Sequence, residues 1–267
     1  MKKYGFIGMG NMAKALAQGF IGAGTLDKAQ VYAYAPNQEK LKGNAEVIGF
    51  TPMASLDDLC GQCDVLIMAC KPYQIDEVLV TLGKSLKGKM LVSVAAGWDM
   101  VRYSAAFKEL RISDVRFQFV MPNTPACVSA GVFLFEQDNS LDDDERAELM
   151  EMFKALGTVI ELPSDLMGIG GAVSGCGPAF VDLFMEAYAD AAVKYGIPRA
   201  TAYNMVAMTV LGSAKLQLES KKHPAVLKDE VCSPGGTTIR GVATLEEKGL
   251  RDACISSIDA IMDYKKR

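Results

Sequence analysis

Short apolar segments alternate with stretches of helical periodicity from the start of the chain to residue 162. Several of these segments lack polar alternation, which is typical of strands covered on both faces in a parallel sheet. The predicted strands are Tyr4–Gly8, Gln30–Tyr34, Asp64–Ala69, Met90–Val94, Val115–Val120, Val132–Phe135 and Thr158–Leu162. The predicted helices are Met12–Ala23, Ser55–Gln62, Tyr73–Leu82, Asp99–Leu110 and Asp142–Ala155. This order predicts a doubly wound, Rossmann-type α/β domain over residues 1–162.

After Leu162 the strand patterns stop and long helical patterns take over. The predicted helices there are Gly177–Tyr195, Arg199–Glu219, Pro224–Asp229, Thr237–Glu247 and Leu250–Lys266. Pro178 and Pro198 stand at first turns, where proline is favoured. Many small residues and methionines suit close helix packing, including packing between subunits. We therefore predict an all-helical second domain over residues 163–267.

The composition of the chain limits the kinds of partner, cellular location and site that we expect. The 267 residues are 50% apolar with a net charge of −4 and no long run of Lys or Arg, which argues against a nucleic-acid partner. No apolar stretch approaches ~20 residues without polar breaks, and no signal-peptide core follows Met1, so we expect a cytoplasmic protein without a membrane span.

Seven irregularly spaced cysteines fit a reducing compartment, and we interpret Cys60 and Cys63 as helix-end packing. The single histidine, His223, lies in a polar segment and excludes a His-rich metal site.

A glycine motif follows the first predicted strand and opens a helix. It reads Gly8-Met9-Gly10-Asn11-Met12-Ala13, or G-x-G-x-x-A. Gly8 permits the tight turn, Gly10 lets the backbone approach a pyrophosphate, and Ala13 allows close packing of helix on strand. The motif predicts dinucleotide binding at the helix N-terminus, with a merely structural glycine turn as the alternative.

The end of the second strand bears on the choice of dinucleotide. An acidic residue there binds the ribose 2′-hydroxyl of NAD, whereas this chain has Tyr34-Ala35-Pro36-Asn37. The missing carboxylate favours NADP, but NAD stays open because no Arg is present, only Asn37 and Lys40. Further loops follow the strands at 69–72, 95–97 and 121–125. The predicted cofactor-binding residues are Ile7, Gly8, Gly10, Asn11, Met12, Ala35, Asn37, Ala69, Cys70, Lys71, Pro72, Ala95, Ala96 and Gly97.

Two glycine-rich segments precede helices in the second domain, at 174–178 and 233–238. Backbone N–H groups at such helix starts form an anion site, and a substrate carboxylate is the anion to expect away from the pyrophosphate. The alternative is helix capping alone, by Ser233 or Thr237. Lys71 is a cation at the edge of the predicted cofactor site, where it could bind a substrate carboxylate or a ribose hydroxyl. The alternative interpretation of Lys71 is a solvated lysine at the end of a strand.

These segments resemble those of the pyrroline-5-carboxylate reductases, and the resemblance runs the whole length. The segments that carry it are Phe6–Met12, Lys71-Pro72, Ala95–Gly97, Met121–Pro125, Ser174–Ala179, His223-Pro224 and, most specifically, Leu227–Ile239. The resemblance implies reduction of 1-pyrroline-5-carboxylate to L-proline by NAD(P)H, the last step of proline biosynthesis. It also implies a helical dimerisation domain, a homodimer and, in many members, assembly into a decamer.

The resemblance assigns roles to residues of the second domain. Thr238 matches the position that contacts the imine nitrogen, so it is predicted to be catalytic together with Lys71, and the amides of Gly236 and Thr237 are predicted to hold the carboxylate. The predicted substrate-binding residues are Ser174, Val231, Ser233, Gly236, Thr237 and Thr238. Cys176 departs from the serine usual in the family, and the second strand lacks the Ser/Asn-Arg pattern of many members.

Two alternatives stay open at this stage. One is another reductase, such as a hydroxyacid dehydrogenase with a catalytic lysine on the first long C-terminal helix; Lys194 lies at the far end of that helix. The other is a non-catalytic NADP-binding regulator, against which the intact 233–238 segment argues.

Overall fold

The computed structural model describes residues 1–264, so the predicted helix end at Lys266 lies outside the described residues. One sheet contains β1 Tyr4–Ile7, β2 Val31–Tyr34, β3 Thr51–Pro52, β4 Val65–Met68, β5 Met90–Ser93, β6 Arg116–Met121, β7 Gly131–Glu136 and β8 Gly157–Leu162. Its strand order is β3-β2-β1-β4-β5-β6-β7-β8, and every pair is parallel except β6 with β7. The Rossmann-type prediction is confirmed. The order reverses between β1 and β4, the point where such sheets bind ligands.

The helices that cover this sheet are α1 Asn11–Gly22, α2 Gln38–Ile48, α3 Leu56–Gln62, α4 Ile75–Leu82, α5 Met100–Glu109, α6 Asp143–Lys154 and α7 Met167–Ser174. Four of them begin at a residue whose side chain accepts a hydrogen bond from an N–H in the first turn: Asn37, Ser55, Asp99 and Asp142. Such caps satisfy N–H groups that have no partner within the helix. At α1 the capping position is Gly10, which offers no side chain.

The sequence analysis missed two helices. Of α2, only Leu41 and Ile48 are buried, and Gly43 interrupts its polar sequence, so it shows little apolar periodicity. In α7, glycines at 168, 170 and 171 lower the intrinsic helix propensity. Packing explains two of these glycines, since a Cβ at Gly170 would lie 2.7 Å from Leu134 Cδ1 and one at Gly171 would lie 2.0 Å from Met121 Sδ. The helix forms because it can approach the sheet this closely.

The apolar core of this region occupies both faces of the sheet. On one face Phe153 packs against Phe20, Phe133 and Phe135, with ring centroids 5.0–5.4 Å apart. The other face has a second cluster that includes Trp98, Tyr103 and Phe117. Cys60 and Cys63 belong to that second cluster, where burial raises the pKa of the Cys63 thiol to about 12, and both act as packing groups.

The chain forms two compact units, Met1–Cys176 and a second that begins at Gly177. The predicted boundary after residue 162 stays a prediction; helix α7 belongs to the first unit. The second unit contains α8 Gly177–Lys194, α9 Arg199–Ser220, α10 Pro224–Val231, α11 Thr237–Glu247 and α12 Leu250–Tyr264. Its described residues include no strand, as predicted.

The second unit buries little of its own apolar surface. Its buried cluster consists of Ala189, Ala202 and Val206 among the described residues. Large apolar side chains remain exposed on α8 and α9: Phe180, Val181, Leu183, Phe184, Tyr188, Tyr203, Met205, Met208, Leu211, Leu216 and Leu218. The stretch 164–194 is apolar and long enough to cross a membrane by composition and length. That criterion is also met by helices of soluble proteins, so the expected absence of a membrane span stays a prediction.

Candidate functional site

A cavity of 740 Å³ lies at the carboxyl ends of β1, β2, β4 and β5. Such a volume is within the range of small-molecule and cofactor sites. Every predicted cofactor-binding residue lines this cavity except Gly97, which is exposed just beyond the wall formed by Ala95 and Ala96. The sequence motifs therefore converge on one pocket at the place where the sheet topology reverses.

The glycine motif forms the floor of the pocket. Gly8 has a φ of +94°, and a Cβ there would lie 2.9 Å from the backbone nitrogen of Cys70, so the turn requires glycine. A Cβ at Gly10 would meet nothing within 4 Å, which leaves the backbone open toward the pocket. The first turn of α1 contains no acidic residue and its N-terminus has no side-chain cap. This N-terminus therefore offers free N–H groups and positive potential, which fit a pyrophosphate.

The loop after β2 carries polar groups without a carboxylate on the pocket wall. Asn37 Oδ1 accepts from the Lys40 N–H at 2.9 Å and so begins α2, while the Lys40 side chain lines the pocket. Gln38 Nε2 donates to the Ala35 carbonyl at 2.9 Å and holds the loop in shape. Glu39 is absent from the lining. A phosphate group on the ribose would meet a lysine and a helix N-terminus here.

The loop after β4 forms the opposite wall. The Lys71 side chain is exposed, and its ammonium forms no ion pair with any residue of the range 1–264. Its backbone N–H donates to Gln74 Oε1 at 3.1 Å. Burial raises the pKa of the neighbouring Cys70 thiol to about 11, so this side chain adds no negative charge next to the phosphate cradle.

Sequence reasoning missed several residues that line the pocket. They are Tyr34, Pro36, Leu56, Gln74, Glu77, Val78, Thr81, Val94 and Thr124, together with Met9 of the motif and Lys40. Four of the missed side chains, Leu56, Glu77, Val78 and Thr81, come from α3 and α4, two helices that precede and follow β4. Their position on the pocket depends on how these helices pack on the sheet, and no local motif marks it.

Asn123 orders the loop after β6, next to Thr124 on the pocket wall. It is buried; its Oδ1 accepts from the Val132 N–H at 2.9 Å and its Nδ2 donates to the Ser174 carbonyl at 3.0 Å. The predicted substrate residue Ser174 is the last residue of α7, and its hydroxyl donates to the Gly170 carbonyl at 2.9 Å. One amide side chain thus links a pocket loop to the final helix of the first unit.

The glycine-rich segment of the second unit forms a turn that leads into α11. Gly235 has a φ of +68°, and the Gly236 N–H donates to the Ser233 carbonyl at 3.0 Å. The capping position is Gly236 itself, and no side chain caps the helix. The capping-only alternative required a hydroxyl of Ser233 or Thr237 at this place, so the structure does not support it. The first-turn N–H groups stay available to an anion.

The other predicted residues of this unit lie near that turn in sequence. Thr237 and Thr238 form the first turn of α11 and are exposed, and Val231, also exposed, ends α10. His223 begins α10, where its Nδ1 accepts from the Ala225 N–H at 3.1 Å, which accounts for it structurally. Lys194 is the last residue of α8, as predicted, which does not favour the hydroxyacid dehydrogenase alternative.

Comparison with known proteins yields two family models. The model described as pyrroline-5-carboxylate reductase dimerisation matches residues 164–267. The model described as NADP oxidoreductase, coenzyme F420-dependent, matches residues 3–97, which contain most of the pocket lining.

Individual relatives cover nearly the whole chain. A pyrroline-5-carboxylate reductase of Treponema pallidum is 42% identical over 97% of this chain and 98% of its own length. The Escherichia coli protein of the same name is 38% identical over 100% of this chain and 98% of its own. The crystal structure of a Plasmodium falciparum pyrroline carboxylate reductase with NADP bound superposes with a TM-score of 0.88, at 30% identity, and covers 99% of this chain and 97% of that one.

Proposed function

The chain belongs to the pyrroline-5-carboxylate reductase family, and from this premise we propose which of its residues perform the reduction of 1-pyrroline-5-carboxylate to L-proline. The protein is an oxidoreductase that uses NADP. The observation that carries the residue assignments is that two helices, α1 and α11, begin at a glycine with no side-chain cap, which leaves N–H groups suited to an anion. Each unit thereby supplies one ligand-binding segment.

The first unit holds the cofactor. The backbone at Gly8 and Gly10 and the N-terminus of α1 bind the pyrophosphate. The α2 N-terminus at Asn37 and the Lys40 side chain face the ribose phosphate, which explains NADP without an arginine at this position. The walls at 69–72 and 94–96 hold the nicotinamide, because they follow β4 and β5, on the other side of β1 from β2. When bound, the reduced nicotinamide supplies the hydride that adds to C5 of the imine.

The second unit binds the substrate. The Thr237 N–H donates to the carboxylate, as does the Gly236 N–H, which it shares with the Ser233 carbonyl. The Thr238 hydroxyl donates a hydrogen bond to the ring nitrogen. This bond draws electron density from the C=N bond and makes C5 more electrophilic. A threonine hydroxyl is a poor acid, so the nitrogen proton comes from water or from an imine that binds already protonated. Val231 and Ser233 border this loop, and Ser174 and Lys71 are the first-unit residues assigned to the substrate.

The exposed apolar faces of α8 and α9 are buried in a homodimer. Among the residues that the structure describes, three buried side chains are too few to stabilise the five helices, since each large apolar group left in water forgoes about 1.5–3 kcal/mol of burial. The dimerisation model that matches residues 164–267 supports this proposal. Assembly into a decamer and a cytoplasmic location are further parts of it.

A steady-state assay tests the proposal. Purified protein is mixed with 1-pyrroline-5-carboxylate and either NADPH or NADH, and the loss of reduced nicotinamide is followed by absorbance. We expect turnover with both cofactors and a higher kcat/KM with NADPH. Absence of turnover with both would reject the substrate assignment, and a preference for NADH would reject the role of Lys40.

A further inference from the structure

The only tryptophan of the chain, Trp98, lies immediately behind the cofactor pocket. It follows the wall at 95–97 and is buried, with 1% of its surface exposed, without itself lining the cavity. Its indole Nε1–H donates to the carbonyl of Pro72 at 3.1 Å. Pro72 belongs to the other wall, 26 residues earlier in the chain. A single hydrogen bond therefore joins the two loops that follow β4 and β5.

Trp98 is also tied to its own loop. Its backbone N–H donates to the Ala95 carbonyl at 3.4 Å, and the Arg102 guanidinium lies 4.1 Å above the indole ring. Arg102 Nη1 also donates to the Gly97 carbonyl at 3.3 Å. The loop that turns through Gly97, whose φ is +79°, is thus closed over the ring by a cation–π contact and a hydrogen bond.

The aromatic cluster beneath prevents the indole from tilting. Tyr103 packs against Trp98 at 5.0 Å between ring centroids and against Phe117 of β6 at 4.3 Å. The Tyr103 hydroxyl is 3.2 Å from the Ser93 hydroxyl, at the end of β5. Because the ring rests on two strands, the position of its N–H is set by the sheet, and the Pro72 carbonyl must adapt to it.

We propose that Trp98 is a positioning residue for the nicotinamide half of the cofactor. Its indole N–H sets the separation between the wall at 69–72 and the wall at 94–96, and so the width of the slot that receives the flat ring. This inference rests on the proposed binding of the nicotinamide between these walls. The adenosine half, placed at the β2 loop, does not depend on Trp98.

The test compares Trp98→Phe with Gln30→Met by ligand binding. Both variants remove a side-chain N–H that donates to a backbone carbonyl distant in sequence. In the control, Gln30 Nε2 donates to the Lys2 carbonyl at 3.0 Å, at the end of the strands opposite the pocket. Binding of NADP⁺ and of 2′,5′-ADP, which lacks the nicotinamide, is measured by calorimetry. We expect Trp98→Phe to weaken NADP⁺ about tenfold, the size of one lost hydrogen bond, and to leave 2′,5′-ADP within twofold. Gln30→Met should leave both unchanged.

Equal weakening of both ligands by Trp98→Phe, or no weakening of either, would overturn the proposal. If Trp98→Phe fails to fold, the binding comparison is replaced by a fluorescence measurement on the wild-type protein, in which Trp98 is the single tryptophan. NADP⁺ should quench the Trp98 emission and 2′,5′-ADP should not, and equal responses would again overturn the proposal. Neither measurement requires turnover, so a failure of the substrate assignment is distinguished from a failure of the positioning role.

Discussion

The two units of this chain differ in how much of their own apolar surface they bury. The first places large aromatic side chains on both faces of an eight-stranded sheet, and the pocket at the sheet edge is lined by residues of this unit. Up to residue 264, the second contains five helices but only a small buried cluster around Ala189, Ala202 and Val206. The first unit can therefore be stable from its own contacts, whereas the second leaves apolar surface exposed that, on our proposal, another copy covers.

The largest expected effect is on the core of the first unit. Phe153→Ala removes a fully buried ring that contacts three other phenylalanines, and large-to-small changes of this kind cost about 3–5 kcal/mol of unfolding free energy. Urea unfolding followed by circular dichroism, at constant protein concentration, measures it. Val101→Ala, at an exposed position of the same unit, should change the free energy by less than about 0.5 kcal/mol. A small loss for Phe153→Ala would show that this unit does not rely on its own core.

The next effect separates substrate chemistry from cofactor binding. Thr238→Ala removes the proposed hydrogen bond to the imine nitrogen, and we expect kcat to fall about a hundredfold while the affinity for NADP⁺ stays within twofold. Thr244→Ala is the matched control, because the Thr244 hydroxyl donates to the Arg240 carbonyl of its own helix. Steady-state kinetics with calorimetric binding measure both quantities. Wild-type turnover in Thr238→Ala would remove this residue from the mechanism.

A charge on the exposed apolar face tests the dependence of the second unit on a partner. Leu211 is 58% exposed on α9, and Leu211→Glu would place a carboxylate in the proposed dimer interface. We expect the dimer dissociation constant to rise at least about tenfold, because burial of one leucine is worth about 1.5–3 kcal/mol. Val47→Glu, on exposed α2 of the first unit, should leave the mass observed by analytical ultracentrifugation unchanged. Unaltered association of Leu211→Glu would place the interface elsewhere.

The same contrast explains what could be predicted from the sequence. The strands other than β3 and the pocket floor follow from local signals: uninterrupted apolar segments and the glycines at 8 and 10, which a tight turn and an open cradle require. Strand β3 escaped prediction because it has only two residues, Thr51 and Pro52, and both are exposed. Helix α2 escaped prediction because it buries only Leu41 and Ile48. The α3 and α4 residues of the pocket wall escaped because tertiary packing alone brings them there.

The features that could not be predicted from the sequence depend on contacts between residues distant in the chain. The Trp98 bond to Pro72 and the Asn123 bond to Ser174 join residues 26 and 51 positions apart, and no periodicity or motif marks such pairs. For the 233–238 turn the sequence did indicate an anion site, yet it left helix capping as an equal alternative. The structure decides against side-chain capping, because Gly236 occupies the capping position.

The smallest expected effect concerns a buried carboxyl group that stabilises neither the pocket nor the dimer directly. Glu136, at the end of β7, has no exposed surface, and its Oε2 accepts from the Met100 N–H at 2.9 Å, at the start of α5. Burial raises the pKa of this carboxyl group. The hydrogen bond from the Met100 N–H and the nearby Ser164 hydroxyl, which itself donates to Asp138 Oδ2, oppose the shift, and the nearby charges of Asp99 and Asp138 add to it.

The raised pKa of Glu136 determines whether the stability of the protein rises or falls with pH. Because the folded protein holds the Glu136 proton more tightly than the unfolded chain, stability should fall as pH rises from about 4.3, the unfolded value for Glu, through the raised folded pKa. Glu136→Gln lacks the titration and should lose this component of the slope, whereas Glu109→Gln, at an exposed position at the end of α5, should keep it. Urea unfolding of the three proteins across this pH range measures the difference. Parallel pH profiles for wild type and Glu136→Gln would mean that the buried carboxyl group remains ionised throughout and that its hydrogen bond to α5 outweighs its burial.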